Sequence, residues 1–101
     1  MTITQTAPTQ PGAAVTIEGT VQIPPRILVR MGPQKISRVS FRIDTAAGPR
    51  NVHTNGGFAE LVRIVLHKGD RVVVHGAPET VQHPRQTVPD IEASSVEYDL
   101  R

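Results

Sequence analysis

Two hydrophobic periods meet within Asn55–Gly76, separated by Gly69, and this junction limits the chain to folds in which one helix feeds directly into one strand. Phe58, Leu61, Val62, Val65 and Leu66 recur at helical spacing and share one face, opposite Glu60, Arg63 and His67. Asn55 is placed to cap the first turn through its side-chain oxygen, and Gly69 suits a left-handed residue at the helix end. His67 and Lys68 sit where the negative end of the helix dipole lies. Beyond the Gly69-Asp70 turn, Arg71 to His75 is a β-branched run too short for a helix and bounded by Gly76, so it reads as a strand.

Upstream, Met1 to Gly12 is uncharged and poor in large apolar residues, too little to offset its ordering entropy, and is predicted to be a disordered tail. Residues 13–101 then form one domain. Val15, Ile17, Val21 and Ile23 alternate with polar residues as in a half-buried strand. Gly19 interrupts its apolar face and marks a bend of the kind a small barrel needs where one strand serves both sheets. Pro24-Pro25 is expected to stop the strand, leaving Arg26 to Gln34 as a connection. A second strand follows from about Lys35 to Asp44, with Val39, Phe41 and Ile43 toward the core and Arg38, Ser40 and Arg42 away from it. After a turn at Ala46 to Pro49, Arg50 to Thr54 is a short third strand that ends at the helix cap. Ala77 to Gln86 reads as a loop with His83, Pro84 and Arg85 at its tip. In the last strand, Thr87 to Tyr98, the apolar phase shifts after Ala93, which predicts a bulge at Ser94-Ser95. The order β, β, β, α, β, β describes an all-β chain: a five-stranded Greek-key barrel of OB-fold type, with one helix between strands 3 and 4, although the pattern alone leaves other small barrels open.

At 101 residues the chain is one domain, large enough to fold without staples. It has no cysteine, so disulfides and thiolate metal sites are excluded. The start lacks a basic-then-apolar leader and no stretch is apolar enough to span a membrane, so a cytoplasmic protein is expected. Net charge is +2 but unevenly spread. Residues 1–50 carry Arg26, Arg30, Lys35, Arg38, Arg42 and Arg50 against Glu18 and Asp44, whereas acids outnumber Lys and Arg in the second half. A positive half of this kind can face a polyanion.

The residues also resemble a family. Gly57-Phe58-Ala59-Glu60-Leu61, followed by Leu66-His67-Lys68-Gly69-Asp70-Arg71-Val72-Val73-Val74-His75-Gly76, resembles the helix and fourth strand of bacterial single-stranded DNA-binding proteins. There a G-x-L-A-E helix leads into L-x-K-G-x-x-V-x-V-x-G. Ile17 to Val21 and Val39 to Ile43 are similar to that family's first two strands, so the likeness runs over residues 15–98. The chain departs from the family where aromatic rings stack on bases: those positions fall near Pro49, Asn55 and His83, and the sequence has no tryptophan. It also ends at Tyr98-Asp99-Leu100-Arg101 without the Gly-rich tail and acidic tip that recruit partner enzymes. Primosomal replication protein N, a tail-less relative of similar length that binds single strands through basic residues, is the nearer functional analogue. The resemblance implies a homodimer or homotetramer, replication proteins as partners and a nucleoid location. The strand from Val15 to Gln22 offers an edge for such an assembly.

OB-folds bind nucleic acid across strands two and three and the loops beside them. The basic residues that fall there are Arg26, Arg30, Lys35, Arg38, Arg42, Arg50 and Arg85, with His53 and His83 as flat side chains for stacking. Read instead as an ordinary solvated surface, the same residues would pair Arg38 and Arg42 with Asp44 or Glu18. Phe41 and Phe58 have the phase of core residues, and Tyr98 is expected to be half exposed near the terminus. No spacing of histidines and carboxylates makes a zinc pattern, and no nucleophile, base and oxyanion set can be assembled, so neither an enzyme nor a cofactor is expected. The function that follows is non-catalytic binding of single-stranded DNA, with RNA as a second class of strand, through basic residues and with little sequence preference. The alternative is an OB-fold interaction subunit of a replication, primosome or conjugation complex.

Overall fold

The computed structural model describes residues 2–6, 15–31, 36–79, 85–86 and 88–99, with backbone alone at 29–31 and 36–37. Its elements are β1 (Thr2–Thr6), β2 (Val15–Met31), β3 (Ile36–Thr45), β4 (Gly48–Asn55), α1 (Gly56–Val65), β5 (Arg71–Pro78) and β6 (Ile91–Asp99). The sheet runs β1-β6-β4-β3-β2-β5, and β5 pairs again with β6, so β2 to β6 close into a five-stranded barrel. All pairings are antiparallel except β4 with β6, where Val52 faces Ile91 and His53 faces Glu92. The expected barrel and its single helix are therefore present, with β1 as an added strand.

β2 closes the barrel because it pairs with two neighbours along its length. Its first part, Val15 to Thr20, lies on β5, and from Gly19 onward it lies on β3. Gly19 is the crossover: a Cβ there would stand 2.2 Å from the Asp44 carbonyl oxygen, so only glycine lets the strands approach. Gly76 plays the same part on β5, where a Cβ would meet the Glu92 carbonyl oxygen at 2.1 Å. Opposite it, the register passes from His75↔Ser95 to Gly76↔Ala93 and skips Ser94, the bulge expected from the phase shift.

The core joins inward residues of every barrel strand, among them Val21, Phe41, Ile43, Val52, Val74, Ile91 and Val96, with Phe58, Val62 and Leu66 from the helix. Both phenylalanines are core residues, as their phase required.

Several expectations need correction. Residues 2–6 of the predicted tail form β1, paired with Ser95 to Asp99, and Ile3 packs against the core. Strand alternation in Thr-Ile-Thr-Gln-Thr is a weak signal, but an existing edge on β6 supplies the bonds that a free segment would lack. The remainder of that tail, 7–12, lies outside the described residues. Of the edge expected at Val15–Gln22, the stretch from Gly19 onward is covered by β3, whereas Val15 to Glu18 pair with β5 alone and have no strand partner on their other side among the described residues; the outer side of β1 is a second such edge. Pro24-Pro25 does not end β2. The register jumps from Ile23↔Arg42 to Arg26↔Ser40, so both prolines sit in an irregularity where no ladder donor is needed.

Asn55 stands at the N-cap of α1 with extended backbone angles but makes no capping bond, because its side chain is engaged elsewhere. The helix ends at Leu66, whose N–H donates to the Val62 carbonyl at 3.1 Å, so His67 and Lys68 lie beyond it. Gly69, at φ +93, belongs to the following turn. That turn is tied down: Asp70 Oδ2 accepts from the His67 N–H at 2.8 Å, and Gly69 and Asp70 exchange backbone bonds with Val21. Leu61 does not join the apolar stripe. It is 48% exposed, whereas Ala59 is buried, which rotates the packed face by one position toward Phe58, Ala59, Val62 and Leu66. Tyr98 is buried rather than half exposed, since β1 covers it and Gln5 Nε2 reaches its hydroxyl at 3.4 Å.

Candidate functional site

Because Val39, Phe41 and Ile43 fill the core, Arg38, Ser40 and Arg42 point out of the barrel. On β4 the buried Val52 and Thr54 set the same alternation, so Asn51, His53 and Asn55 point out too. The β3–β4 register aligns the two sets in rows: Arg38 with Asn55, Ser40 with His53, Arg42 with Asn51. Arg26 on β2 lies opposite Ser40 and extends the middle row.

This face divides by charge. At one end, Arg42 Nε donates to Asn51 Oδ1 at 3.0 Å and finds no carboxylate among the described residues. Arg26 is exposed and has no partner among the described residues. Together with Ile23, Leu28, Ser40 and Phe41 these side chains line a shallow cavity of about 200 Å³. At the other end the charge is answered. Arg38 NH2 donates to both Glu79 oxygens, at 2.9 and 2.8 Å, and NH1 donates to Asn55 Oδ1 at 3.0 Å. His53 Nδ1 lies 2.7 Å from Glu79 Oε1 and 2.8 Å from Arg38 NH2, and its Nε2 stands 3.6 Å from Asp90 Oδ2. Asn55 Nδ2 donates to Glu92 Oε1 at 2.7 Å. Glu79 is itself fixed, as its backbone N–H donates to the Asp90 carbonyl at 2.7 Å.

Arg50 behaves differently from Arg38 and Arg42. It shares the inward phase of Val52, and its guanidinium donates to the Pro89 carbonyl at 2.9 Å while Nε is buried without a partner among the described residues. It opens onto a groove of about 700 Å³ between the β3–β4 turn and the segment before β6, lined also by Pro49, Asn51, Arg85, Gln86 and Asp90. Across the groove, Gln86 Nε2 donates to Val88 O and Asp90 Oδ1.

The structure thus gathers Arg26 and Arg42 in one patch, Arg38 and His53 in a second, and Arg50 with Arg85 at the groove. Lys35 and His83 lie outside the described residues, as does the side chain of Arg30, whose backbone pairs with Ser37. Asn51, Asn55, Glu79, Asp90 and Glu92 belong to the face and were not singled out from the sequence. Strand alternation through Asn51, His53 and Asn55 carried that signal for two of them, but Asn55 had been assigned to the helix cap. Arg38 pairs neither with Asp44 nor with Glu18, and Glu18 is held by Arg71 at 2.8 Å.

On the opposite side of the barrel Thr16 Oγ1, His75 and Glu97 Oε2 form a row, with 3.0 and 2.9 Å between neighbours. The row bridges β2, β5 and β6 on an open sheet surface. Among the described residues no group of three His, Cys, Asp or Glu side chains could hold a metal ion, and no helix is long and apolar enough to cross a membrane.

Neither a protein-family model nor a curated protein sequence matches the chain. Solved structures do. The single-stranded DNA-binding domain of a Synechococcus protein superposes with a TM-score of 0.72 at 14% identity, over 87% of this chain and 97% of that one. The second single-stranded DNA-binding protein of Mycobacterium smegmatis gives 0.65 at 27% identity, over 87% of both chains. The single-stranded DNA-binding protein of Thermus aquaticus gives 0.66 at 23%, covering 87% of this chain and 40% of that protein. The chain has the OB-fold of bacterial single-stranded DNA-binding proteins. Within that fold the sheet face just described is carried by β3 and β4, the second and third strands of the expected barrel, with Arg26 added from β2.

Proposed function

We propose that the protein binds single-stranded DNA without catalysis, through phosphate contacts from Arg26 and Arg42 on the sheet face and from Arg50 and Arg85 at the adjoining groove. The observation that carries this reading is the outward patch of Arg26 and Arg42, two guanidiniums on a cross-strand face with no carboxylate beside them among the described residues. Such charges release counterions when a polyanion arrives, which is the main source of affinity for a sequence-tolerant binder. The same fold in bacterial single-stranded DNA-binding proteins supports the choice of ligand. Phe41 and Phe58 are in the core and Tyr98 is buried, so among the described residues no phenylalanine or tyrosine ring offers a base a platform. Affinity is therefore modest, base preference weak, and RNA of the same length a close competitor. A homodimer or larger assembly, a cytoplasmic, nucleoid-associated setting and replication partners belong to the same reading.

The test is fluorescence anisotropy with a labelled polythymidine strand at two salt concentrations. Binding that weakens steeply with salt supports the reading. No binding at low salt, with a folded protein, refutes it.

A further inference from the structure

Resting on that reading, we propose that Glu79 is an internal substitute for a phosphate, which holds Arg38 out of DNA binding and stops the phosphate track short of the β4–β6 end of the face. Arg38 has the outward phase of Arg42 and lies two rows away from it on the same strand. Sequence pattern alone therefore makes the two equivalent. Their surroundings do not.

Both terminal nitrogens of Arg38 are already committed, NH1 to Asn55 Oδ1 and NH2 to the two oxygens of Glu79. A carboxylate contacted through both its oxygens presents a guanidinium with much the same acceptor pattern as a phosphate. Glu79 is not a loose side chain that a strand could push aside at small cost. Its backbone is bonded to Asp90, and its Oε1 also contacts His53. The side chains of Arg38 and Glu79 are 29% and 26% exposed, so the pair is partly withdrawn from solvent.

The consequence for binding follows from counterions. A phosphate that meets Arg38 meets the charge of Glu79 with it and is not neutralised, so it keeps its condensed cations and the contact gains almost none of the usual salt-dependent free energy. Glu92, beside Asn55, adds negative charge at the same end and repels an approaching phosphate. The track is thereby biased toward Arg26 and Arg42 and on to the groove at Arg50. The acids act as positioning residues for the strand and touch no phosphate themselves.

A binding cycle with the labelled polythymidine strand tests this. Arg42→Ala should weaken binding by about 3- to 10-fold at low salt and flatten the log–log salt slope by about 0.7. Arg38→Ala, which bares Glu79 without removing a phosphate contact, should cost clearly less affinity than Arg42→Ala and leave the slope nearly unchanged. Glu79→Gln, which keeps the shape and removes the charge, should tighten binding by about 3- to 10-fold and steepen the slope by about 0.7, and Arg38→Ala added to it should cancel the gain. Losses of equal size from Arg38→Ala and Arg42→Ala would overturn the inference while leaving DNA binding intact, as would an unchanged slope in Glu79→Gln. Should Glu79→Gln melt near the assay temperature, the comparison of the two arginine variants still decides. A folded wild-type protein that binds no strand refutes the proposed function and this inference with it.

Discussion

Leu61 and Leu66 sit on the same short helix, were assigned one role by periodicity, and have opposite fates. Leu66 is 3% exposed within the core, whereas Leu61 is 48% exposed. Leu66→Ala should therefore cost about 2–5 kcal/mol, the usual range for a buried leucine, and Leu61→Ala less than about 0.5 kcal/mol. Thermal melts of the two variants check the contrast, and equal losses would show that the helix is rotated from the packing described. Glycines divide in the same way. At Gly19 an added Cβ meets the Asp44 carbonyl at 2.2 Å, a backbone atom that cannot give way without opening the β2–β3 pair. At Gly57 nothing lies within 4 Å. Gly19→Ala should destabilise the barrel severely, while Gly57→Ala, in the first turn of the helix, should be neutral or raise the melting temperature by a few degrees. Sequence marked Gly19 as a bend because it broke an apolar alternation. It could not show the steric reason, which depends on a residue 25 positions away on another strand.

Among the elements, those with their own periodicity were legible and those defined by a neighbour were not. Alternation on β3 and β5 reports which side is buried, and the phase slip across Ser94 betrayed the bulge, since an extra residue must invert the pattern. β1 has no such signature. It is a strand because β6 offers an edge, and β2 persists through Pro24-Pro25 because neither proline stands at a paired position. On the site, Arg38 and Arg42 were visible as outward residues, but Glu79 and Asp90 were not. They lie outside the barrel's alternating strands, and only the fold brings them to the face. A prediction belongs at this scale. The barrel closes through β5 and β6 without β1, so deleting residues 1–6 should leave a folded barrel with an uncovered Tyr98. Far-ultraviolet dichroism should stay barrel-like, the melting temperature should fall, and amide exchange should accelerate first at Val96 to Asp99. Global unfolding of this variant would mean that β1 is integral to closure.

For the molecule as a whole, affinity for a single strand has two separable parts, counterion release and base stacking, and the proposed binding rests on the first alone. The sequence contains no tryptophan, and the rings of Phe41 and Phe58 are spent in the core. Ser40 lies in the middle of the outward face, between Arg26 on β2 and His53 on β4, on a strand that tolerates an aromatic ring. Ser40→Trp would place an indole where a strand bound to Arg42 must pass. Stacking should then tighten binding by about 1–3 kcal/mol. The salt slope should not change, because a stacked base releases no counterion, so the added affinity should persist at salt concentrations where the parent no longer binds. The indole would also be the only tryptophan in the protein, and its fluorescence should be quenched on binding with the same midpoint as the anisotropy. Retained binding without quenching would place the strand away from the centre of the β2–β3–β4 face and move the site to the groove at Arg50 and Arg85.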